Sequence, residues 1–181
     1  MSVISVRDHE RALTGTNGGR AAIIVPMGIS TDDLAYFVDR AVDGMIEILR
    51  DLGDELASTR PDLPGANSPY AILTHCLGVM NYWAGHTVAG RDVERERDAE
   101  FRAAGSVDTL IQACAAAKRQ FAADLAVAEP AQPLRRPPQN TTWEGRELEN
   151  QGGALLHILE EVAQHHGQTE LTRDLLRSRG R

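Results

Sequence analysis

Hydrophobic positions divide the chain into an irregular first segment and a longer segment with helical periodicity. Residues 1–29 contain a stretch of small and polar residues, from Thr14 to Gly19, and a short apolar run that Pro26 closes. We expect a flexible leader there, because such a composition does not form a regular element. The apolar run is too short for a secretory signal and has no clear cleavage site after it. Residues 30–181 are therefore predicted to form the folded domain.

A single apolar stripe predicts the first helix. Ser30 precedes acidic residues, which is typical of a capped helix start. The apolar residues that follow recur at alternating steps of four and three: Leu34, Val38, Ala41, Met45, Ile48 and Leu52. This spacing indicates a long amphipathic helix that ends near Pro61.

Three further helices are predicted downstream. The second begins at Ser68, ends before Gly90 and is apolar nearly all round, so we expect it to be buried. The third begins with Ser106 as its capping residue, and the fourth spans about residues 148–177. A charged connection precedes the third helix, and a proline-rich connection follows it. Four long helices with two long connections predict an all-α fold, a four-helix bundle.

Composition narrows the range of partners. The 181 residues carry 19 basic and 26 acidic side chains, a formal net charge of −7. Nucleic acids and anionic membranes bind clustered basic surfaces, so we expect neither as a partner. No apolar run in the sequence is long enough to span a bilayer. Two cysteines, Cys76 and Cys114, are too few for a disulfide framework. We therefore expect a cytoplasmic protein.

The fourth predicted helix contains the polar residues that are best suited to bind a metal ion. At successive steps of four, four and three it places His157, Glu161, His165 and Gln168. These side chains share one helix face within about 80°. The face lies beside the apolar stripe of the helix, so it is directed to the interior or to the edge of a cleft. Glu161 and His165 form a Glu-x-x-x-His pair that can reach one cation.

The second predicted helix offers a third ligand. His75 lies in the most hydrophobic segment of the chain, where its ring nitrogens need a partner. Two imidazoles and one carboxylate leave a divalent metal with an open coordination position, as in catalytic sites. Spacing alone leaves two alternatives open: His157 as the third ligand, and a core histidine that is hydrogen-bonded without a metal. Cys76 and Cys114 are predicted to be small buried core residues.

Three segments of the sequence share a pattern with a known family: residues 74–83, with the sequence THCLGVMNYW, residues 95–101, with RERDAEF, and residues 161–168, with EVAQHHGQ. Together they resemble the DinB-like metal-binding bundle superfamily. The resemblance is to the mycothiol-dependent branch, which includes maleylpyruvate isomerases and thiol S-transferases. It extends over about residues 30–177. It implies an up-down-down-up bundle with a metal at one end of the core.

The resemblance also implies a set of metal ligands and an activity. The mycothiol-dependent branch has His-Glu-His ligands, which places His75, Glu161 and His165 on a divalent metal, usually zinc. A low-molecular-weight thiol bound to that metal as thiolate attacks an electrophilic carbon. The implied function is a metal-dependent transferase that conjugates mycothiol or a similar thiol to an electrophilic small molecule, as in detoxification.

Further residues are expected to support this chemistry. His157 and Gln168 share the helix face of the ligands, and we expect them to orient Glu161 or His165. The charged connection supplies three candidate contacts to a polar thiol cosubstrate: Arg95, Arg97 and Arg102.

Other functions stay open on the sequence. Maleylpyruvate isomerases have a further C-terminal domain that contributes an arginine, and this sequence ends at Arg181, so we expect the single-domain transferase. A metal-dependent hydrolase would activate water at the open position. A non-catalytic, stress-associated bundle would have lost its metal. The sequence does not choose between a monomer and a homodimer.

Overall fold

The computed structural model describes residues 29–139 and 148–178. These residues contain five α-helices: α1 (Thr31–Ser58), α2 (Pro69–Met80), α3 (Arg97–Glu100), α4 (Val107–Leu125) and α5 (Gln151–Ser178). A π-helical segment, Asn81–Val88, continues directly from α2. The predicted leader lies outside the described residues, except for residue 29.

The prediction of an all-α fold is confirmed. The described ranges contain helices and no β-strand, apart from an isolated bridge between Pro133 and Asn150. No helix in these ranges is both long and apolar enough to cross a membrane. One hydrophobic core connects α1, α2, the π-helical segment, α4 and α5.

Helix α1 buries the stripe that its sequence predicts. Every residue of that stripe is buried, and Met45 and Leu49 are among the largest side chains that are fully enclosed. Burial of each such side chain contributes about 1.5–3 kcal/mol to folding. The hydroxyl of Ser30 accepts the backbone N–H of Asp33 at 3.0 Å and so caps the helix. Near the other end the chain bends at Gly53, whose φ of 70° favours glycine.

The second predicted helix is continuous, but it is not α-helical throughout. After Met80 the hydrogen-bond pattern widens to that of a π-helix over Asn81–Val88. A Cβ at Gly85 would overlap the guanidinium of Arg91, which forms an ion pair with the buried Asp124 of α4 at 2.8 Å. Arg91 therefore connects the π-helical segment to α4. The hydrophobic pattern does not reveal the wide turns, because the segment is apolar on all sides.

Helix α4 begins directly after Ser106, as predicted, but its cap differs from the prediction, and α5 begins later than predicted. Ser106 makes no capping hydrogen bond with its side chain; Oδ1 of Asp54 in α1 accepts the backbone N–H of Val107 at 2.8 Å instead. Helix α5 begins later than expected, after Asn150, whose side chain accepts the N–H of Gly153 at 2.9 Å. In both places a capping acceptor that the periodicity cannot identify sets the boundary.

Helices α1 and α5 lie side by side and run in the same direction. The ring of His166 rests on Gly44, where a Cβ would overlap it, and further along both helices Arg177 forms an ion pair with Asp51. The absent side chain at Gly44 allows the two helices to approach closely.

Helix α4 runs in the opposite direction to α1. Lys118, late in α4, binds Asp43 of α1 at 2.8 Å, whereas Val107, at the start of α4, binds the later residue Asp54. The two ends of this helix pair are therefore fixed by polar contacts across the core.

Candidate metal centre

Helices α2 and α5 run antiparallel and bring three ligand-type side chains together. His75 of α2 contacts Glu161 of α5, and the later residue Trp83 packs on the earlier residue His157. Nitrogens of His75 and His165 and an oxygen of Glu161 all lie within 4.8 Å of one another. The three residues singled out from the sequence can therefore hold a metal ion.

Two separations within this cluster are close to the separation of two ligands around a single zinc ion. Nε2 of His75 lies 3.3 Å from Oε2 of Glu161, and Nε2 of His165 lies 3.6 Å from the same oxygen. Two ligands that are each about 2.0–2.1 Å from zinc, at a tetrahedral angle, lie about 3.3–3.4 Å apart. The two imidazole rings are nearly perpendicular, with centroids 4.9 Å apart. Two nitrogens and one carboxylate oxygen are also a donor set that zinc prefers.

One side of the cluster is buried and the other is open. The side chain of His75 is 3% exposed, whereas Glu161 is 29% exposed and His165 is 21% exposed. A metal held by these residues would face the interior through His75 and solvent through the other two. This arrangement suits a site that admits a small molecule at an open position.

Gln168 holds the outer nitrogen of His165. Its side-chain oxygen accepts a hydrogen bond from Nδ1 at 2.7 Å. An amide oxygen only accepts, so the hydrogen of the neutral ring sits on Nδ1 and the lone pair of Nε2 faces Glu161. The contact is with one of the two residues that Gln168 was expected to orient; its role beside a metal stays a prediction.

His75 has a corresponding partner that sequence reasoning missed. Nδ1 of His75 lies 2.8 Å from Oε2 of Glu100, the last residue of α3. Glu100 belongs to the charged connection before α4, yet its side chain is only 10% exposed. The available signal was the RERDAEF segment that carries part of the family resemblance. The periodicity of α2 and α5 contains no information about a short helix in the connection.

His157 does not join the three-residue cluster. Its ring packs edge-on against Trp83, with centroids 4.8 Å apart, and Nδ1 lies 3.7 Å from the exposed carboxylate of Glu160. Burial lowers the pKa of His157, although the charge of Glu161 opposes that shift. The alternative with His157 as the third ligand therefore has less geometric support than the set with His75.

The carboxylate of Glu161 is stabilised in its ionised form. When the two imidazoles are protonated, hydrogen bonds from His165 and His75 hold the pKa of Glu161 well below its usual range. Burial alone would lower the pKa of His75, but its hydrogen bonds to Glu100 and Glu161 raise it above the ordinary value. The cluster thus combines a permanent negative charge with imidazoles that must lose a proton to bind a metal.

The three candidate arginines have different surroundings. Arg95 is largely buried and makes two hydrogen bonds to Glu100, at 2.7 and 2.9 Å. Arg97 is exposed and lies over the ring of Phe101, 5.1 Å from its centroid, and Arg102 is exposed. A pocket of about 310 Å³ is lined by Arg95 and Glu100 among other residues, but neither Arg97 nor Arg102 lines it.

The remaining histidines and cysteines of the described ranges do not belong to the cluster. Cys76 and Cys114 are free and fully buried, as predicted, and burial raises the pKa of Cys114 to about 11. His86 is buried and stacked on Tyr82, with ring centroids 5.1 Å apart. His166 lines a groove of about 740 Å³ between α1 and α5, and none of the three cluster residues lines that groove.

Comparison with known protein families gives one match over most of the chain. A family model described as mycothiol-S-transferase matches residues 33–178. This range contains all three cluster residues together with Glu100 and Gln168. No curated protein matches the sequence.

Proposed function

Because the chain belongs to the mycothiol-S-transferase family, we propose that it is a metal-dependent transferase that joins a low-molecular-weight thiol to an electrophilic small molecule. The observation that carries the proposal is the spacing of His75, Glu161 and His165, whose ligand atoms lie within 4.8 Å of one another. Mycothiol or a similar compound is the proposed thiol, and zinc is the proposed metal. On this proposal the protein acts in the cytoplasm, where small thiols are kept reduced.

We also propose that the helices form the DinB-like bundle in its up-down-down-up order. Three contacts support the directions: His166 on Gly44 for α1 and α5, Lys118 with Asp43 for α4, and His75 with Glu161 for α2. In such a bundle the cluster lies between α2 and α5, with α3 folded over its buried side.

The protein residues prepare the site before substrate arrives. Glu161 supplies a fixed negative charge, and Gln168 holds His165 so that its Nε2 faces the carboxylate. Charge on the ligands leaves a divalent metal with a net charge near +1, which favours binding of one further anionic ligand. A divalent metal held by His75, Glu161 and His165 would lower the pKa of a thiol at this site and so favour its thiolate form.

The transfer itself forms one bond between sulfur and carbon. The thiol gives its proton to solvent, and a sulfur lone pair forms the new C–S bond. In a substitution the leaving group departs with its bonding electrons; in an addition the carbon skeleton accepts the electron pair and later a proton. The sulfur comes from the cosubstrate, because Cys76 and Cys114 are buried and their thiol pKa values are raised.

Turnover with purified zinc-loaded protein tests this proposal. Mycothiol would be incubated with a panel of alkyl halides and α,β-unsaturated carbonyl compounds, and the thioether conjugates would be quantified by mass spectrometry. We expect conjugates that depend on both protein and zinc. Glu161→Gln should abolish them, whereas Glu170→Gln, a matched change at an exposed position of the same helix, should not.

Three results would redirect the assignment. Hydrolysis of an ester or amide without added thiol would favour water activation by the same residues. No turnover together with no bound metal would favour a non-catalytic bundle. Isomerisation of maleylpyruvate with catalytic thiol would place the chain with the isomerases of the branch.

A further inference from the structure

We propose that Glu100, held by Arg95, is a positioning residue that fixes the ring of His75 with its hydrogen on Nδ1 and its Nε2 facing Glu161 and His165. The importance of this orientation for metal binding rests on the proposed function. The orientation itself is a property of the protein and can be measured without a metal.

The contacts of Glu100 leave its carboxylate little freedom. Oε2 lies 2.8 Å from Nδ1 of His75, and Arg95 binds both oxygens, through Nε at 2.7 Å and a terminal nitrogen at 2.9 Å. The side chains of Arg95 and Glu100 are 15% and 10% exposed. A bidentate arginine pair of this kind fixes both the position and the plane of the carboxylate.

Gly78 provides the space that this arrangement needs. It follows His75 on α2 by three residues, so both lie on the same helix face. The carboxylate of Glu100 rests directly on Gly78, and a Cβ at this position would overlap Oε1. Any larger residue at position 78 would push Glu100 away from Nδ1 of His75. The glycine is therefore required by close approach and not by its backbone angles.

The residue after Glu100 restrains the same ring from its face. Phe101 stacks on His75 with ring centroids 4.4 Å apart and an angle of 26° between the planes. The guanidinium of Arg95 lies over the ring of Tyr82, 5.8 Å from its centroid. The segment from Arg95 to Phe101 thus holds both the edge and the face of His75, which explains why a polar connection is packed onto an apolar helix.

The opposite tautomer of His75 is the alternative to this proposal. A terminal nitrogen of Arg95 also lies 3.3 Å from Nδ1 of His75, so Arg95 can donate to Nδ1 if the hydrogen sits on Nε2 and points at Glu161. The shorter distance to Glu100, 2.8 Å, favours a hydrogen on Nδ1. The carboxylate can only accept, and this hydrogen bond increases the basicity of Nε2.

Nitrogen NMR of the full-length protein without added metal decides between the two arrangements. Long-range ¹H–¹⁵N spectra, recorded at alkaline pH where the ring is neutral, distinguish a protonated Nδ1 from a protonated Nε2; His75→Gln assigns the signal. We expect the Nδ1–H tautomer. The Nε2–H tautomer in the unmodified protein would overturn the proposal.

Zinc affinity measured by competition with a chromophoric chelator provides the second readout. Glu100→Gln and Gly78→Ala should each weaken zinc binding by about 10–100-fold. Glu94→Gln, an exposed acid in the same connection, should change it by less than about twofold. If all three variants bind zinc as tightly as the unmodified protein, and circular dichroism shows that they are folded, the positioning role is contradicted. If a variant does not fold, the tautomer in the unmodified protein still gives the answer.

These measurements separate the positioning role from the proposed function. An Nδ1–H tautomer in a protein that takes up no zinc would retain the positioning of His75 and overturn the metal-dependent transferase. If the protein binds zinc but has the Nε2–H tautomer before metal is added, the positioning role is overturned and the metal-dependent transferase is retained.

Discussion

Nε2 of His75 lies 3.3 Å from Oε2 of Glu161, although 86 residues separate the two in the chain. The antiparallel packing of α2 on α5 creates this contact. It places a buried histidine opposite a carboxylate that already has His165 beside it, so that one small cation can contact all three.

Removal of a ligand should abolish metal binding while leaving the fold intact. His165→Ala removes one of three donors, and the residue is partly exposed, so the core loses little. We expect no stoichiometric zinc in the variant by plasma mass spectrometry, no conjugation activity, and a far-UV circular dichroism spectrum close to that of the unmodified protein. Loss of helicity would instead indicate that the cluster is structural.

Zinc should stabilise the unmodified protein and not the ligand variants. At a free zinc concentration 100 times the dissociation constant, binding adds about 2.7 kcal/mol to the free energy of unfolding. For a chain of this size that corresponds to a rise in Tm of about 5–10 °C. Calorimetric scans with and without zinc measure this rise. An equal rise in Glu161→Gln would show that zinc binds elsewhere.

Metal affinity should fall as the pH falls through the pKa of His75. The hydrogen bonds to Glu100 and Glu161 outweigh burial and raise this pKa above 6.5, so a proton competes with the metal for Nε2. Glu161 has a lowered pKa and stays ionised throughout. Zinc titrations at about pH 6 and pH 8, in buffers of different ionisation enthalpy, should show more proton release at the lower pH. Identical affinity and proton release at the two values would refute the prediction.

The protein's own thiols should be unreactive and dispensable for transfer. Both cysteines are fully buried, and burial raises their thiol pKa values. We expect Cys76 and Cys114 to react with an aromatic disulfide reagent only after unfolding. Cys114→Ala should retain conjugation activity within about twofold, with a modest loss of stability from the small cavity. Loss of activity in a folded Cys114→Ala variant would contradict transfer from a free cosubstrate.

Replacing Arg91 should lower the free energy of unfolding more than replacing Asp124, its partner in the ion pair beside the π-helical segment. Asp124 is almost fully buried, whereas Arg91 is about one-third exposed. Arg91→Met leaves a buried carboxylate that, among the described residues, keeps a hydrogen bond from Gln120, and should cost about 3 kcal/mol. Asp124→Asn leaves an arginine that water can reach, and should cost about 1–2 kcal/mol. Urea unfolding of both variants measures the difference, and equal costs would contradict the burial argument.

The sequence predicts those parts of the molecule that depend on helix periodicity. The stripe of α1 was predictable because each of its apolar positions packs on one core, and the face shared by Glu161, His165 and Gln168 follows from 3.6 residues per turn. His75 could be named because an imidazole in an apolar helix needs a partner.

The contacts made by the connections could not be predicted in the same way. Glu100 reaches His75 only because Gly78 leaves space beneath it, and no periodic pattern signals that a charged connection will be buried. The widened turns at Gly85 similarly depend on where Arg91 finds its carboxylate. Both are consequences of tertiary packing, which a pattern along one helix does not contain.

The most direct test of the central claim is an absorption spectrum of the cobalt-substituted protein before and after addition of mycothiol. We predict uptake of about one cobalt per chain, with bands of low coordination number, and a new sulfur-to-metal charge-transfer band when the thiol is added. Both should be absent in His165→Ala. Absence of cobalt uptake, or bound cobalt whose spectrum does not respond to the thiol, would contradict thiol activation at His75, Glu161 and His165.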